Sequence, residues 1–214
     1  MKLLPHYIEM LSFIEDEIVK VRITTSKSGI KAAATLLVTT VDHAQGIRFL
    51  LERTAYPSAS ALMRVLFETY IRAMWLWKCA DDNQVDSFIN KDKVISKDGK
   101  TIYFKDLVKA VEHAHNFPEY LSKIQGNTWE GLNSLTHGGA IQLHRNFDGK
   151  TIQHCYDEEL INELIEFSTI LACMAFAGIM DLCAHKNGAE VSEKLFQLVE
   201  PWALNKLNKS DTEL

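Results

Sequence analysis

The chain has 214 residues, of which 47% are hydrophobic and 24% are charged, the balance of an ordinary globular domain. Its net charge of -5 provides no overall basic field, so binding of nucleic acid by backbone neutralisation alone is not expected, and any such binding would need a local basic cleft. The four cysteines form no CxxC pair, and three of them (Cys79, Cys173 and Cys183) lie in apolar runs, so we expect reduced thiols and a cytoplasmic protein.

The first third of the sequence predicts three helices. Apolar residues recur every three or four positions from residue 3 to 23, which is typical of a helix with one buried face. Residues 30–53 predict a second helix that is rich in alanine, and Pro57 with Ser58 begins a third over residues 58–80. The third helix is apolar nearly all round, so we expect it at the centre of a bundle.

The polar side chains of this central helix form one line. Arg64, Glu68 and Arg72 follow each other at steps of four residues, so each is rotated from the previous one by only about 40°. One interpretation is a solvent-facing strip with ion pairs worth a few tenths of a kcal/mol each. The other is a buried cationic site, in which Glu68 holds guanidinium groups that bind phosphate or carboxylate.

The middle of the chain predicts shorter elements. Residues 94–104 alternate around an Asp-Gly turn, which favours a small β-hairpin or a loop. Residues 105–115 and 128–135 have helical patterns, and residues 144–156 are irregular or extended.

A second polar group lies at the end of the short helix over residues 128–135. Asn133 and His137 are four residues apart, and two glycines follow the histidine. His137 is a candidate general acid or base, since an imidazole both accepts and donates protons near neutral pH. The alternative is that it only ends a helix, where it bonds the last free carbonyls. His144 and Arg145 follow shortly and add positive charge as candidate ligand-binding residues.

The last third of the sequence predicts a long apolar helix over residues 157–185 with an acidic first turn. It must be buried by this chain or by a second copy, so we expect a homodimer through this helix. Its longest apolar run is too short for a bilayer, and we expect no membrane insertion. An amphipathic helix over residues 189–207 completes a single domain, 1–207, and residues 208–214 are expected to form a mobile tail.

Two short elements carry a resemblance to known proteins: Arg-Val-Leu-Phe-Glu at residues 64–68 and Leu-Thr-His-Gly at residues 135–138. The chain resembles bacterial helical proteins that contain both, and these are similar to the HEPN superfamily of helical bundles. The resemblance covers roughly residues 30–185. It implies metal-independent ribonuclease activity of a toxin or phage-defence type, carried out by a dimer.

In HEPN ribonucleases, an Arg precedes a His by four to six intervening residues, and Asn or another polar residue often follows the Arg. His137 and Asn133 fit this pattern, but no arginine occupies the expected positions, which are Leu132, Gly131 and Glu130. The resemblance therefore requires an arginine from elsewhere in the fold, and Arg64 is the best candidate.

Together these observations predict an all-α bundle of six to eight helices with a long buried C-terminal helix. The favoured function is a dimeric binding or regulatory module, and the alternative is a HEPN-like ribonuclease that uses His137 with Arg64 on RNA. Because the sequence has no HExxH, no Cys/His ligand spacing and no Gly-rich phosphate loop, we expect neither metal nor cofactor, and a ligand that is RNA or a small anion. The candidate catalytic residues are His137, Arg64, Glu68 and Asn133, and the candidate ligand-binding residues are Arg72, His144 and Arg145.

Overall fold

The chain folds as an all-helical bundle, as the sequence predicts. The computed structural model describes residues 2–183 and 187–210, without the side chains of residues 189 and 201–210. Within these residues there are nine helices and no strand. The count exceeds the predicted six to eight because the sequence pattern did not predict two short helices, over residues 82–91 and 140–144. The helices are α1 (Leu4–Ile18), α2 (Ser28–Glu52), α3 (Tyr56–Lys78), α4 (Asp82–Lys91), α5 (Phe104–His115), α6 (Tyr120–Thr136), α7 (Ala140–His144), α8 (Glu158–Cys183) and α9 (Gly188–Ser210).

Helix α3 lies at the centre of the bundle, where its nearly uniform apolar character places it. It packs against α2, α5, α6 and α8. Phe67, Tyr70 and Trp75 are among its buried side chains. Buried apolar residues from Leu4 in α1 to Leu195 in α9 form one continuous core cluster.

Small residues let α2 lie close to its neighbours. A Cβ atom added at Gly46 would come within 3.1 Å of Leu62 on α3, and one added at Gly178 on α8 within 3.0 Å of Leu37 on α2. Larger side chains at these two positions would push the helices apart. Helices α2, α3 and α8 thus pack closely against one another.

Helix α8 is buried mainly by its own chain. It packs on α1, α2 and α3, and none of its large apolar side chains is exposed. By length and composition it is the one helix among the described residues that could cross a membrane, but 56% of its most apolar window is buried inside the bundle. The structure is that of a single chain, so the dimer through this helix stays a prediction.

Three local features differ from the sequence expectation. Helix α4 was not predicted, although Asp81 and Gln84 form a reciprocal capping box at its start. Helix α6 begins at Tyr120 rather than near residue 128; its first two turns include Gly126, which is a poor helix former, and no side-chain cap marks its start. Residues 94–104 form no strand but contain a single antiparallel bridge between Ile95 and Thr101.

The C-terminal helix α9 packs on α1 and α8 and extends to Ser210, beyond the predicted end at residue 207. Residues 208–210, assigned to the predicted mobile tail, are therefore helical. Residues 211–214 of that tail lie outside the described residues.

Candidate functional site between α3 and α6

The polar line of α3 forms a bridged ion-pair cluster. The Nε atom of Arg64 lies 2.8 Å from Oε1 of Glu68, and Nη2 of Arg72 lies 2.8 Å from Oε2 of the same carboxylate. The side chains of Arg64 and Glu68 are only 21% and 16% exposed, whereas that of Arg72 is 35% exposed. The three groups thus lie at the edge of the core, between the two expected environments of solvent strip and buried site.

Arg64 also contacts His137, which lies 73 residues later at the C-terminal end of α6. The guanidinium Nη1 and the imidazole Nε2 are 2.5 Å apart. Because a guanidinium only donates hydrogen bonds, Nε2 must be the acceptor, and the ring is then neutral with its proton on Nδ1. The imidazole is exposed, so it is accessible to a ligand from solvent.

Aromatic packing holds the Arg64 side chain in place. Its guanidinium carbon lies 4.9 Å from the centre of the Trp129 ring on α6, within the range of a cation–π interaction. Trp129 in turn stacks on Phe104 of α5, with ring centres 4.3 Å apart and planes 16° apart. Because indole and carboxylate both hold the guanidinium, its orientation toward His137 is set before any ligand binds.

A tight turn after α6 sets the position of His137. Gly138 has a φ of +69°, which favours glycine, and the Gly139 N–H donates to the backbone oxygen of Ser134 at 2.7 Å. A Cβ atom at Gly139 would lie 2.5 Å from Oγ of Ser134, so no larger residue fits without a shift. The same Oγ accepts the N–H of Ile141, which ties the turn to α7. The two glycines therefore serve the turn that presents the imidazole.

A hydrogen bond fixes the end of α6 against α3. The hydroxyl of Thr136 donates to the backbone oxygen of Ala61 at 3.1 Å. Since Thr136 precedes His137 and Ala61 lies one turn before Arg64, this bond holds the two helices at the height where the imidazole meets the guanidinium.

The other three predicted site residues do not join the cluster. Among the described residues, the buried Oδ1 of Asn133 has no hydrogen-bond partner. His144 is exposed at the end of α7, and Arg145 lies 6.0 Å from the Tyr156 ring, at a separate cavity. The structure therefore brings together Arg64, Glu68, Arg72 and His137, and it adds Trp129, which sequence reasoning missed. The signal was present, because Trp129, Asn133 and His137 follow each other at steps of four residues.

The chemistry of the cluster suits an anion. Two guanidinium groups and one carboxylate leave a net charge of about +1 when the imidazole is neutral. In the described part of the chain, no group of three or more His, Cys, Asp and Glu side chains is placed to hold a metal ion. The exposed donors are those of arginine and histidine, which bind phosphate or carboxylate oxygens.

Comparison with known proteins places the chain in a family. Residues 37–198 match the model of a family described as "Family of unknown function (DUF6988)", and the chain belongs to this family. No curated protein and no solved structure matches the chain. The matched range includes every residue of the cluster, so the contact between Arg64 and His137 lies within the family's shared region.

Proposed function

We propose that this member of DUF6988 cleaves RNA at the Arg64–His137 cluster without a metal ion. The observation that supports the proposal is the 2.5 Å contact between the guanidinium of Arg64 and the exposed imidazole of His137. The resemblance to HEPN proteins requires an arginine beside the histidine, and α3 supplies one where the local motif lacks it. An acid–base group and a fixed positive charge then meet on one accessible surface.

The proposed reaction uses the nucleophile that RNA itself carries. An RNA phosphate takes hydrogen bonds from Arg64, which frees Nε2 of His137. Nε2 then accepts the proton of the adjacent 2′-hydroxyl, whose oxygen attacks phosphorus as the bond to the 5′-oxygen breaks. The imidazolium returns the proton to the leaving 5′-oxygen, directly or through water. The products are a 2′,3′-cyclic phosphate and a 5′-hydroxyl end, and the histidine is restored.

The remaining groups of the cluster act through Arg64 or on the phosphate charge. Glu68 and Trp129 are positioning residues, because they hold the guanidinium from its edge and its face. Arg72 is the most exposed of the three charged side chains and adds a second positive charge beside the proposed phosphate. Preorganised charge of this kind is usually the largest single contribution to transition-state stabilisation.

The direct test measures cleavage of a fluorescent RNA oligonucleotide in buffer containing EDTA. We expect His137→Ala to lower the rate by roughly 10²–10⁴-fold and Arg64→Gln by roughly 10²–10³-fold. His113→Ala, which removes an exposed histidine on α5, serves as the matched control and should leave the rate unchanged. Cleavage at the same rate by wild type and His137→Ala would refute the assigned role.

A second candidate is a non-catalytic, dimeric binding or regulatory module. The observation in its favour is that the acceptor atoms of the cluster are already occupied without a ligand. Nε2 of His137 accepts from Arg64, and the two oxygens of Glu68 pair with Arg64 and Arg72. Under this proposal, RNA or a small anion binds in competition with these contacts and is not converted. The module is favoured if wild type binds RNA without cleaving it and Arg64→Gln weakens this binding. Analytical ultracentrifugation at micromolar concentration tests its dimer, and a monomer would remove that part.

A further inference from the structure

A second concave site lies apart from the Arg64–His137 cluster. A solvent-open cavity of about 590 Å³ is lined by α6, α7, α8, the start of α3 and the segment after α7. None of Arg64, Glu68, Arg72 and His137 lines it. Its wall is largely apolar and includes Met63, Leu132, Leu135, Leu164, Phe167 and Ile170. This size and lining are those of pockets that hold small organic ligands.

Arg145 places a positive charge on one side of this cavity. Arg145 lines the cavity, and its guanidinium lies 6.0 Å from the centre of the Tyr156 ring. Within the described residues, no carboxylate forms an ion pair with it. A cation beside apolar walls gains most from an anionic partner, because such a pair is only weakly screened there.

The neighbouring Tyr156 hydroxyl has a proton to donate. The single hydroxyl proton of Ser60 is directed to the Tyr56 carbonyl at 2.9 Å, and the Tyr156 oxygen lies 3.3 Å from the same Oγ. No other group in the described part of the chain accepts the phenolic proton of Tyr156, so this proton is able to turn toward a ligand oxygen. Burial raises the pKa of Tyr156, so the phenol keeps this proton at neutral pH. Arg145 and Tyr156 thus offer two adjacent donors to a ligand oxygen.

A carboxylate also limits the ligand charge. Glu163 on α8 lines the same cavity. Its carboxylate disfavours a second negative charge on the ligand, and so disfavours nucleotides and other polyanions. A ligand with one anionic group near Arg145 and an uncharged apolar body meets both conditions.

We propose that this cavity binds an amphipathic monoanion of the medium-chain carboxylate class, with its carboxylate on Arg145 and Tyr156 and its alkyl chain along the apolar wall. Binding at this site does not depend on RNA cleavage, because it uses none of the residues of the Arg64–His137 cluster.

Isothermal titration of the full chain with decanoate, octanoate and hexanoate tests the alkyl part. We expect affinity to rise about fourfold for each added methylene, which corresponds to about 0.8 kcal/mol. Decanol and decylammonium test the headgroup on the wild-type protein, and both should bind at least tenfold more weakly than decanoate. Binding of either one as tightly as decanoate, or no binding of any probe, would overturn the proposal.

Variants locate the binding site. Arg145→Gln should weaken decanoate at least tenfold and leave decanol within about twofold, since only the charged hydrogen bonds are lost. Arg22→Gln removes an exposed arginine elsewhere and should bind like wild type. His137→Ala should also bind decanoate normally, which separates this proposal from the ribonuclease proposal. Unchanged decanoate affinity in folded Arg145→Gln would contradict the assigned headgroup contact.

Discussion

Replacing Glu68 by glutamine tests whether the α3 cluster is an organised site or a solvent strip. The carboxylate accepts from Arg64 and from Arg72, at 2.8 Å each. A glutamine offers only one acceptor oxygen, so one arginine keeps a hydrogen bond to an uncharged amide oxygen. The other arginine faces the amide NH₂ group, which is also a donor and cannot bind it. Two like charges also remain along one face of α3 without the group that neutralises them.

The expected loss follows from the burial of the three groups. Hydrogen bonds to charged groups contribute about 1.5–3 kcal/mol when shielded, and exposed helical ion pairs about 0.3–0.5 kcal/mol. Because the two pairs are only partly exposed, we expect Glu68→Gln to lower the free energy of unfolding by about 1–2 kcal/mol. For a domain of this size, that corresponds to a fall in Tm of roughly 2–8 °C.

The assay is thermal unfolding monitored by circular dichroism, with Glu190→Gln as the matched control. Glu190 also pairs with a residue one turn away at 2.8 Å, but both partners are more than half exposed. The control should melt within about 1 °C of wild type. If Glu68→Gln is equally silent, the cluster is a screened surface strip and its role in orienting Arg64 is wrong.

Three further predictions concern the turn, the core and the pH response. Gly139→Ala should slow RNA cleavage more than about tenfold, because the added Cβ displaces the turn that carries the catalytic imidazole. The control Gly126→Ala lies in open space on α6, so it should stabilise the helix by up to about 1 kcal/mol and cleave RNA normally. Cleavage kinetics and thermal unfolding check both variants. Tyr7→Phe should cost about 1–3 kcal/mol in urea unfolding, because it strands the buried hydroxyl of Ser168, and adding Ser168→Ala should cost less than the sum of the two single changes. Burial lowers the pKa of His115 below its ordinary value of about 6.5. As the pH drops below about 6.5, the imidazole is protonated in the unfolded chain before it is protonated in the folded chain, so the folded state loses stability. His115→Gln should therefore make Tm less dependent on pH between about pH 5.5 and 7.

The helices were predicted from the sequence where apolar periodicity is strong. Helices α3 and α8 bury long apolar faces, so their pattern reports their environment directly. Helix α4 is mostly polar, and its local signal is the capping box between Asp81 and Gln84 rather than apolar periodicity. Helix α6 begins without a side-chain cap, so its start carries no such signal.

The candidate site could be predicted only in part. Spacing identified the Arg64–Glu68–Arg72 line, because residues four apart on one helix are neighbours whatever the tertiary fold. The contact with His137 depends on how the end of α6 packs on α3, which no local pattern contains. Arg145 was predicted beside the same ligand but lies at another cavity, because closeness in sequence did not mean closeness in space.

The products of RNA cleavage test the central claim most directly. Mass spectrometry of an oligonucleotide after incubation with the wild-type protein should show fragments ending in a 2′,3′-cyclic phosphate and fragments starting with a 5′-hydroxyl. These products should be absent with His137→Ala and with a substrate whose 2′-hydroxyls are replaced by hydrogen. Fragments with 5′-phosphate ends, cleavage of the 2′-deoxy substrate, or the same products from His137→Ala would contradict the proposal that His137 activates the 2′-hydroxyl beside Arg64.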